Sequence, residues 1–209
     1  MTRPPIARIA GPIALGTGLL LLVQQLAIAS FIDRSQIETT LAQPLFVPLA
    51  ATYFVAFCGL LVALVATYSW EAEEAGTFGL VGFLVALVGT MFLAGDLWFE
   101  AFAVPWLGDV APAALHAAGG TLVVGAFAGY VLFAVGWVLF GLASARAHVF
   151  PLPVSIALVI GGAIGFQAAL PPFAVPLALA VSALGAWMIR SRSAAAMPHP
   201  STAAAPLSS

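Results

Sequence analysis

The chain has 209 residues, of which 63% are hydrophobic and 7% charged, and its mean hydropathy is +1.12. A soluble domain carries about 25% charged residues, so this chain has too few polar groups to cover its own surface and needs lipid as its solvent. The formal net charge is −2, with no lysine. The six arginines form no basic patch, which argues against a nucleic-acid partner.

Six long apolar runs predict six transmembrane helices, because a membrane-spanning helix needs about 20 mostly apolar residues. In chain order the runs are Ile9 to Phe31, Leu45 to Tyr68, Phe78 to Leu97, Ala113 to Leu142, Val149 to Leu170 and Phe173 to Met188. Pro171 and Pro172 separate the last two as a tight turn, since proline cannot continue a helix. The predicted fold is an all-α polytopic membrane protein. Residues 1–190 form its transmembrane domain, and residues 191–209, rich in alanine, serine and proline, form a disordered cytoplasmic tail.

The arginines predict the orientation of these helices, because cytoplasmic loops carry the excess of positive charge. With six spans, only Arg34 falls on one side, and the other five arginines fall on the opposite side. We therefore expect both termini to be cytoplasmic and Arg34 to lie outside. An alternative stays open at the N-terminus, where Ala27-Ile28-Ala29 follows a basic start and an apolar run and resembles a signal-peptide cleavage site. Cleavage there would leave five spans.

Two ladders of small residues predict close helix packing, because small side chains at every fourth position form one stripe along a helix. We expect these stripes to pack the fourth and fifth predicted spans together, and a dimer interface is the alternative. The first ladder is Ala117, Thr121, Gly125 and Gly129, and the second is Ala157, Gly161, Gly165 and Ala169.

Six polar side chains are predicted at the outer end of the spans, given the direction of each helix. They are Gln24, Gln25, Asp96, Glu100, His116 and Gln167. One interpretation places the two acids in the headgroup layer, where water solvates them. The other interpretation is an outward-facing pocket in which Asp96, Glu100 and His116 converge to carry a proton or act as metal ligands.

Motifs that would identify a chemistry are missing from the sequence. There is no nucleotide-binding G-x-x-x-x-G-K-[ST], no G-x-S-x-G and no H-E-x-x-H. The single Cys58 allows neither an intrachain disulfide nor a cysteine zinc site. We therefore predict no cofactor and no resident metal, and we assign no catalytic residue. The expected partners are the lipid bilayer and either a second copy or another membrane protein.

Four stretches carry a resemblance: Arg8-Ile9-Ala10-Gly11, residues 68–76, Gly79-Leu80-Val81-Gly82-Phe83, and residues 95–102 with Pro105. In these stretches, roughly the first 115 residues resemble a group of uncharacterised small multi-pass proteins from high-GC bacteria. The resemblance implies a bacterial inner-membrane location and no particular activity. Three functions stay open: a non-catalytic accessory, assembly or sensory subunit, a carrier of a small solute, ion or proton, and a membrane-embedded metal-dependent enzyme.

Overall fold

A computed structural model describes residues 5–117 and 119–196, and all regular structure in these ranges is helical. In these ranges seven α-helices are joined by short connections, of which two contain a 3₁₀ turn and one is a π-helical segment. In chain order the elements are α1 (Pro5–Phe31), α2 (Ile37–Leu41), α3 (Phe46–Trp98), a π-helical segment (Phe99–Ala103), α4 (Val104–Val110), a 3₁₀ turn (Pro112–His116), α5 (Gly120–Ala147), α6 (Leu152–Ile164), a second 3₁₀ turn (Gly165–Gln167) and α7 (Val175–Ala196).

The longest helix, α3, folds back on itself. Its 53 residues would extend about 80 Å if straight, far beyond a hydrocarbon core of about 30 Å. The backbone leaves helical geometry at Gly76, where φ is 57° and ψ is −153°, a conformation that only glycine adopts readily. The ring of Tyr68 stacks on that of Phe83 with centroids 4.3 Å apart. Residues 46–75 and 77–98 therefore form the two antiparallel arms of a helical hairpin.

The helices have the length and the exterior of a membrane protein. Three of them are long and apolar enough to cross a membrane: Ala7–Phe31, Phe46–Val110 and Gly120–Ala147. A shorter apolar helix covers Leu152–Gln167. Large apolar side chains also cover the outside, whereas soluble monomers rarely expose such extensive apolar surface. Examples on different helices are Leu19, Val23, Val62, Leu84, Val88, Val135, Leu142, Ile160 and Leu179.

Several helix ends differ from the predicted runs. The run predicted from Ala113 begins as a helix only at Gly120, because Pro112 opens a separate 3₁₀ turn on the surface. The helix α7 continues to Ala196, so residues 191–196 of the predicted tail are helical, and residues 197–209 lie outside the described part. The α-helix α6 has 13 residues, about 20 Å, which is shorter than the predicted span.

Small residues at the crossings allow close contact between helices. A Cβ added at Gly82 of α3 would lie 2.9 Å from the backbone nitrogen of Phe140 on α5. One added at Gly162 of α6 would lie 2.7 Å from Cβ of Trp137, also on α5. Because lipid is as apolar as the side chains, such close packing replaces the hydrophobic effect as the force between helices.

The described termini lie at the same end of the bundle. The guanidinium of Arg192 on α7 and the indole N–H of Trp70 on α3 both donate to the carbonyl oxygen of Ala7 on α1, each at 2.6 Å. Arg192 also lies 5.3 Å from the centre of the Trp70 ring. The opposite end of the bundle carries Arg34, Glu100 and the other polar residues of the candidate site.

Candidate functional site

An ion pair at this opposite end joins the α1–α2 connection to the π-helical segment. Arg34 Nη2 lies 2.8 Å from Glu100 Oε1, and the two side chains are 32% and 21% exposed. Glu100 lies on the π-helical turn, a rare geometry that occurs often at functional sites. Sequence reasoning placed both residues at the outer end without pairing them. The usable signal was the single arginine on that side, since ionisable groups in membranes tend to pair.

Hydrogen bonds fix the loop that carries Arg34. The Ser35 N–H donates to Asp33 Oδ1 at 2.9 Å, and this bond lowers the pKa of the Asp33 carboxyl. The Gln43 amide donates to the carbonyl oxygen of Asp33 at 2.8 Å and accepts from its N–H at 3.0 Å. The guanidinium is thus presented by an ordered turn.

Two cavities share the ion pair as a wall. The outer one has a volume of about 290 Å³. The inner one, of about 10 Å³, is the size of one water molecule. Tyr53 lines the inner cavity together with the ion pair and apolar side chains. The outer cavity is lined by Arg34, Ser35, Gln36, Ile37, Thr40, Phe46, Glu100 and Val104.

A buried network of hydrogen bonds includes Tyr53, which lines the inner cavity. The network joins α1, α3 and the α6–α7 connection. Gln25 is fully buried; its amide group donates to the Tyr53 hydroxyl and to the Ala168 carbonyl oxygen. The Tyr53 hydroxyl also donates to Ala168, and the Ala174 N–H donates to Gln25 Oε1 at 3.2 Å. Gln25 therefore has partners for its oxygen and its nitrogen and serves to hold the helices together.

The structure does not bring Asp96, Glu100 and His116 to one cavity, contrary to the prediction of a convergent pocket. Asp96 accepts a hydrogen bond from Tyr130 of α5 at 3.1 Å and lines an open groove of about 270 Å³ between α3 and α5. His116 Nε2 lies 2.8 Å from Glu38 Oε1, with both side chains more than half exposed. The surface turn at Pro112–His116 places His116 in a different cavity. Each of the three groups thus has its own partner.

The remaining predicted polar residues have different surroundings. Gln24 is buried, and its Oε1 has no hydrogen-bond partner. Gln167 is exposed in the second 3₁₀ turn. Within the described residues, no group of three histidine, cysteine, aspartate or glutamate side chains is arranged to hold a metal ion.

The two small-residue ladders pack differently from the prediction. A Cβ at Gly125 would meet no atom within 4 Å, and Thr121 is exposed. Gly129 contacts Phe92 on α3, and Gly161 contacts Leu177 on α7. A Cβ at Gly165 would lie 3.0 Å from the ring of Phe133 on α5, and Ala157 is partly buried against the core. The ladders therefore do not form one α5–α6 seam, because other residues occupy that crossing.

The carboxyl group of Glu71 is buried at the end of the bundle where the described termini lie. It was not predicted from the sequence. Glu71 has no exposed surface; its Oε1 lies 2.9 Å from the Ser144 hydroxyl oxygen, and its Oε2 has no hydrogen-bond partner. The Ser144 hydroxyl oxygen also lies 3.0 Å from the Phe140 carbonyl oxygen. The predicted runs leave this glutamate in the loop between Tyr68 and Phe78.

The cavity lined by Arg34 and Glu100 can bind a small polar molecule. The buried hydrogen bonds of Gln25 and of Glu71 can hold helices together. Comparison of the chain with models of known protein families, with curated proteins and with solved structures finds no significant match.

Proposed function

We propose that this chain is a six-span protein of the bacterial inner membrane, with both termini in the cytoplasm, that acts as a non-catalytic accessory, assembly or sensory subunit. The observation that carries the proposal is the use of interior polar groups between helices. Gln25 and Tyr53 link three parts of the bundle, and Trp137 donates to Thr90 at 3.1 Å. Polar groups that bond to each other between helices stabilise the bundle and are not free to act on a substrate.

The placement of charge supports the proposed orientation. Trp70 donates to Ala7, and Glu71, the residue after Trp70, contacts Ser144 at the same end of the bundle. Arg146 lies two residues after Ser144. Arg192 donates to Ala7, so these two arginines lie at the end of the bundle that holds the described termini. Arg34 lies at the other end. A reporter active only outside the cytoplasm is expected to work after Gln36 and to fail after Ala75 and at the C-terminus.

The accessory role is tested by what the purified protein does alone. Reconstituted in liposomes, it is expected to pass no proton, ion or solute along an imposed gradient. In native membranes it is expected to migrate as part of a larger complex, with a second copy or another membrane protein. Gradient-driven flux from the purified protein would contradict the accessory role.

A carrier is the second candidate, and one observation favours it. The outer cavity of about 290 Å³ shares Arg34 and Glu100 with the water-sized cavity that Tyr53 lines, and a substrate site entered from outside would need such a cavity. If the protein is a carrier, liposome flux is expected and the substitution Glu100→Gln abolishes it. The metal-dependent enzyme has less support, since Asp96, Glu100 and His116 have separate partners.

A further inference from the structure

We propose that the outer cavity beside Arg34 and Glu100 binds a small zwitterion, a molecule that carries an ammonium group and an oxyanion. The molecule is either a free solute or the headgroup of a lipid. The proposal goes beyond the accessory role and does not rest on it, because it needs only the cavity and the ion pair.

The ion pair has unused hydrogen-bonding capacity. A guanidinium group has five N–H donors, and the contact with Glu100 at 2.8 Å engages one nitrogen. Among the described residues, no hydrogen bond satisfies the other donors of Arg34 or the second carboxylate oxygen of Glu100. Both groups line the outer cavity. A ligand there can accept from the guanidinium and donate to the carboxylate.

The paired charges of Arg34 and Glu100 favour a zwitterion over a simple ion. A lone anion bound to Arg34 would lie beside the Glu100 carboxylate, and a lone cation bound to Glu100 would lie beside the guanidinium. Either would leave one partly desolvated charge facing a like charge, which is costly. A molecule with both charges gives each side chain an opposite partner and adds no net charge to the site.

The size and lining of the cavity limit the ligand. A volume of about 290 Å³ lies just below the usual range of about 300–1,000 Å³ for ligand pockets, so the ligand is small. Phe46, Ile37 and Val104 form the apolar part of the wall, and Ser35 and Gln36 form part of the polar wall. This combination fits a short amino acid or a phosphoethanolamine group.

The position of the site explains why a lipid is a candidate source. Trp98 and Trp106, on the same hairpin arm and its continuation, are 50% and 61% exposed. Exposed tryptophans gather at the membrane–water interface, where phospholipid headgroups lie. Glu100 lies between them in the sequence, so the cavity is expected at headgroup depth.

Binding is tested with defined probes on the purified full chain in detergent. Glycine, β-alanine and glycerophosphoethanolamine carry both charges, acetate carries only the negative charge, and ethylamine carries only the positive charge. A ligand of the folded state raises the melting temperature by mass action, and calorimetry gives the Kd. Lipid binding is measured separately in nanodiscs that contain either phosphatidylethanolamine or phosphatidylcholine, whose quaternary ammonium group cannot donate a hydrogen bond.

Three variants and a control connect the binding to the ion pair. Arg34→Met and Glu100→Gln are each expected to weaken zwitterion binding about tenfold or more. The double variant Arg34→Met with Glu100→Met removes both charges, so it tests binding even if a single variant fails to fold. Glu38→Gln changes an acid that lines the neighbouring cavity and is expected to bind like the wild type.

The outcomes distinguish the sources of the ligand. Stabilisation by a free amino acid supports a solute site, and stabilisation only by phosphatidylethanolamine or its headgroup supports a lipid site. The proposal is overturned if no zwitterion binds, if acetate or ethylamine stabilises the protein as strongly as glycine does, or if the double variant binds like the wild type.

Discussion

Two glycines in the predicted small-residue ladders provide a matched test of the packing. Gly161 lies on α6 at the crossing with α7, where an added Cβ would lie 2.7 Å from Cα and 2.8 Å from the backbone nitrogen of Leu177. Gly125 lies on α5, where an added Cβ would meet no atom within 4 Å. The sequence alone predicts the same role for both residues, whereas the structure predicts opposite responses to the substitution by alanine.

The magnitude follows from the contact distance. Ordinary van der Waals contact begins at 3.4 Å, so Gly161→Ala requires α6 and α7 to separate by about 0.7 Å (3.4 − 2.7). The obstructing atoms belong to the backbone and cannot rotate away. Overpacking of this kind costs about 1–3 kcal/mol. Alanine also raises helix propensity by up to about 1 kcal/mol, but this gain applies equally to Gly125→Ala and cancels when the two variants are compared.

The measurement is the free energy of unfolding of each variant in the same detergent, followed by circular dichroism. Gly161→Ala is expected to be less stable than Gly125→Ala by about 1–3 kcal/mol. For a chain of this size, each kcal/mol corresponds to about 2–4 °C in melting temperature. Equal stability of the two variants would refute the close α6–α7 crossing, and a destabilised Gly125→Ala would show that α5 packs against a partner at that position.

Three further comparisons test other parts of the structure, each by the melting temperature of the purified variants. Gly76→Ala is expected to lose about 1–3 kcal/mol through backbone strain, whereas Gly16→Ala, at a helical glycine with equally open surroundings, is expected to be neutral or slightly stabilising; equal melting would contradict the hairpin turn. Tyr53→Phe removes a buried bridging hydroxyl and is expected to lose about 1–3 kcal/mol, but Tyr68→Phe keeps its stacked ring and is expected to melt like the wild type. Glu71→Gln keeps a hydrogen-bonding group in the buried site and is expected to be tolerated, whereas Glu71→Ala is expected to lose about 1–3 kcal/mol; a loss in Glu71→Gln as large as that in Glu71→Ala would mean that the negative charge is required.

The helical fold could be predicted from the sequence because hydropathy reports the solvent around each segment. The apolar runs gave the approximate positions of α1, α5 and both arms of α3. Their ends were harder to place, since Pro112 opens a surface turn before α5 and α7 continues past the last apolar residues. The gap between the runs that end at Tyr68 and begin at Phe78 predicts the reversal, and Gly76 is the single glycine in that gap.

The candidate site was predictable only in part, because depth in the membrane does not determine direction around a helix axis. Asp96 and Glu100 were expected at the outer end, either in the headgroup layer or converging with His116 in one pocket. They contact different elements, since Tyr130 of α5 reaches Asp96 and the α1–α2 connection brings Arg34 to Glu100. These pairings depend on how helices distant in sequence are rotated against each other, and one sequence does not contain that information.

The polar groups of this bundle divide according to whether their hydrogen-bonding capacity is already used. Gln25 and Tyr53 are buried and bonded to each other and to the backbone, so their role is to hold helices together in a medium that supplies no water. Arg34 and Glu100 are only partly exposed, yet they contact each other through one pair of atoms and face an open cavity. A purely structural pair would gain from a bidentate contact. The remaining donors of Arg34 and the second oxygen of Glu100 line the same cavity, and this is the basis on which we propose a ligand with both charges.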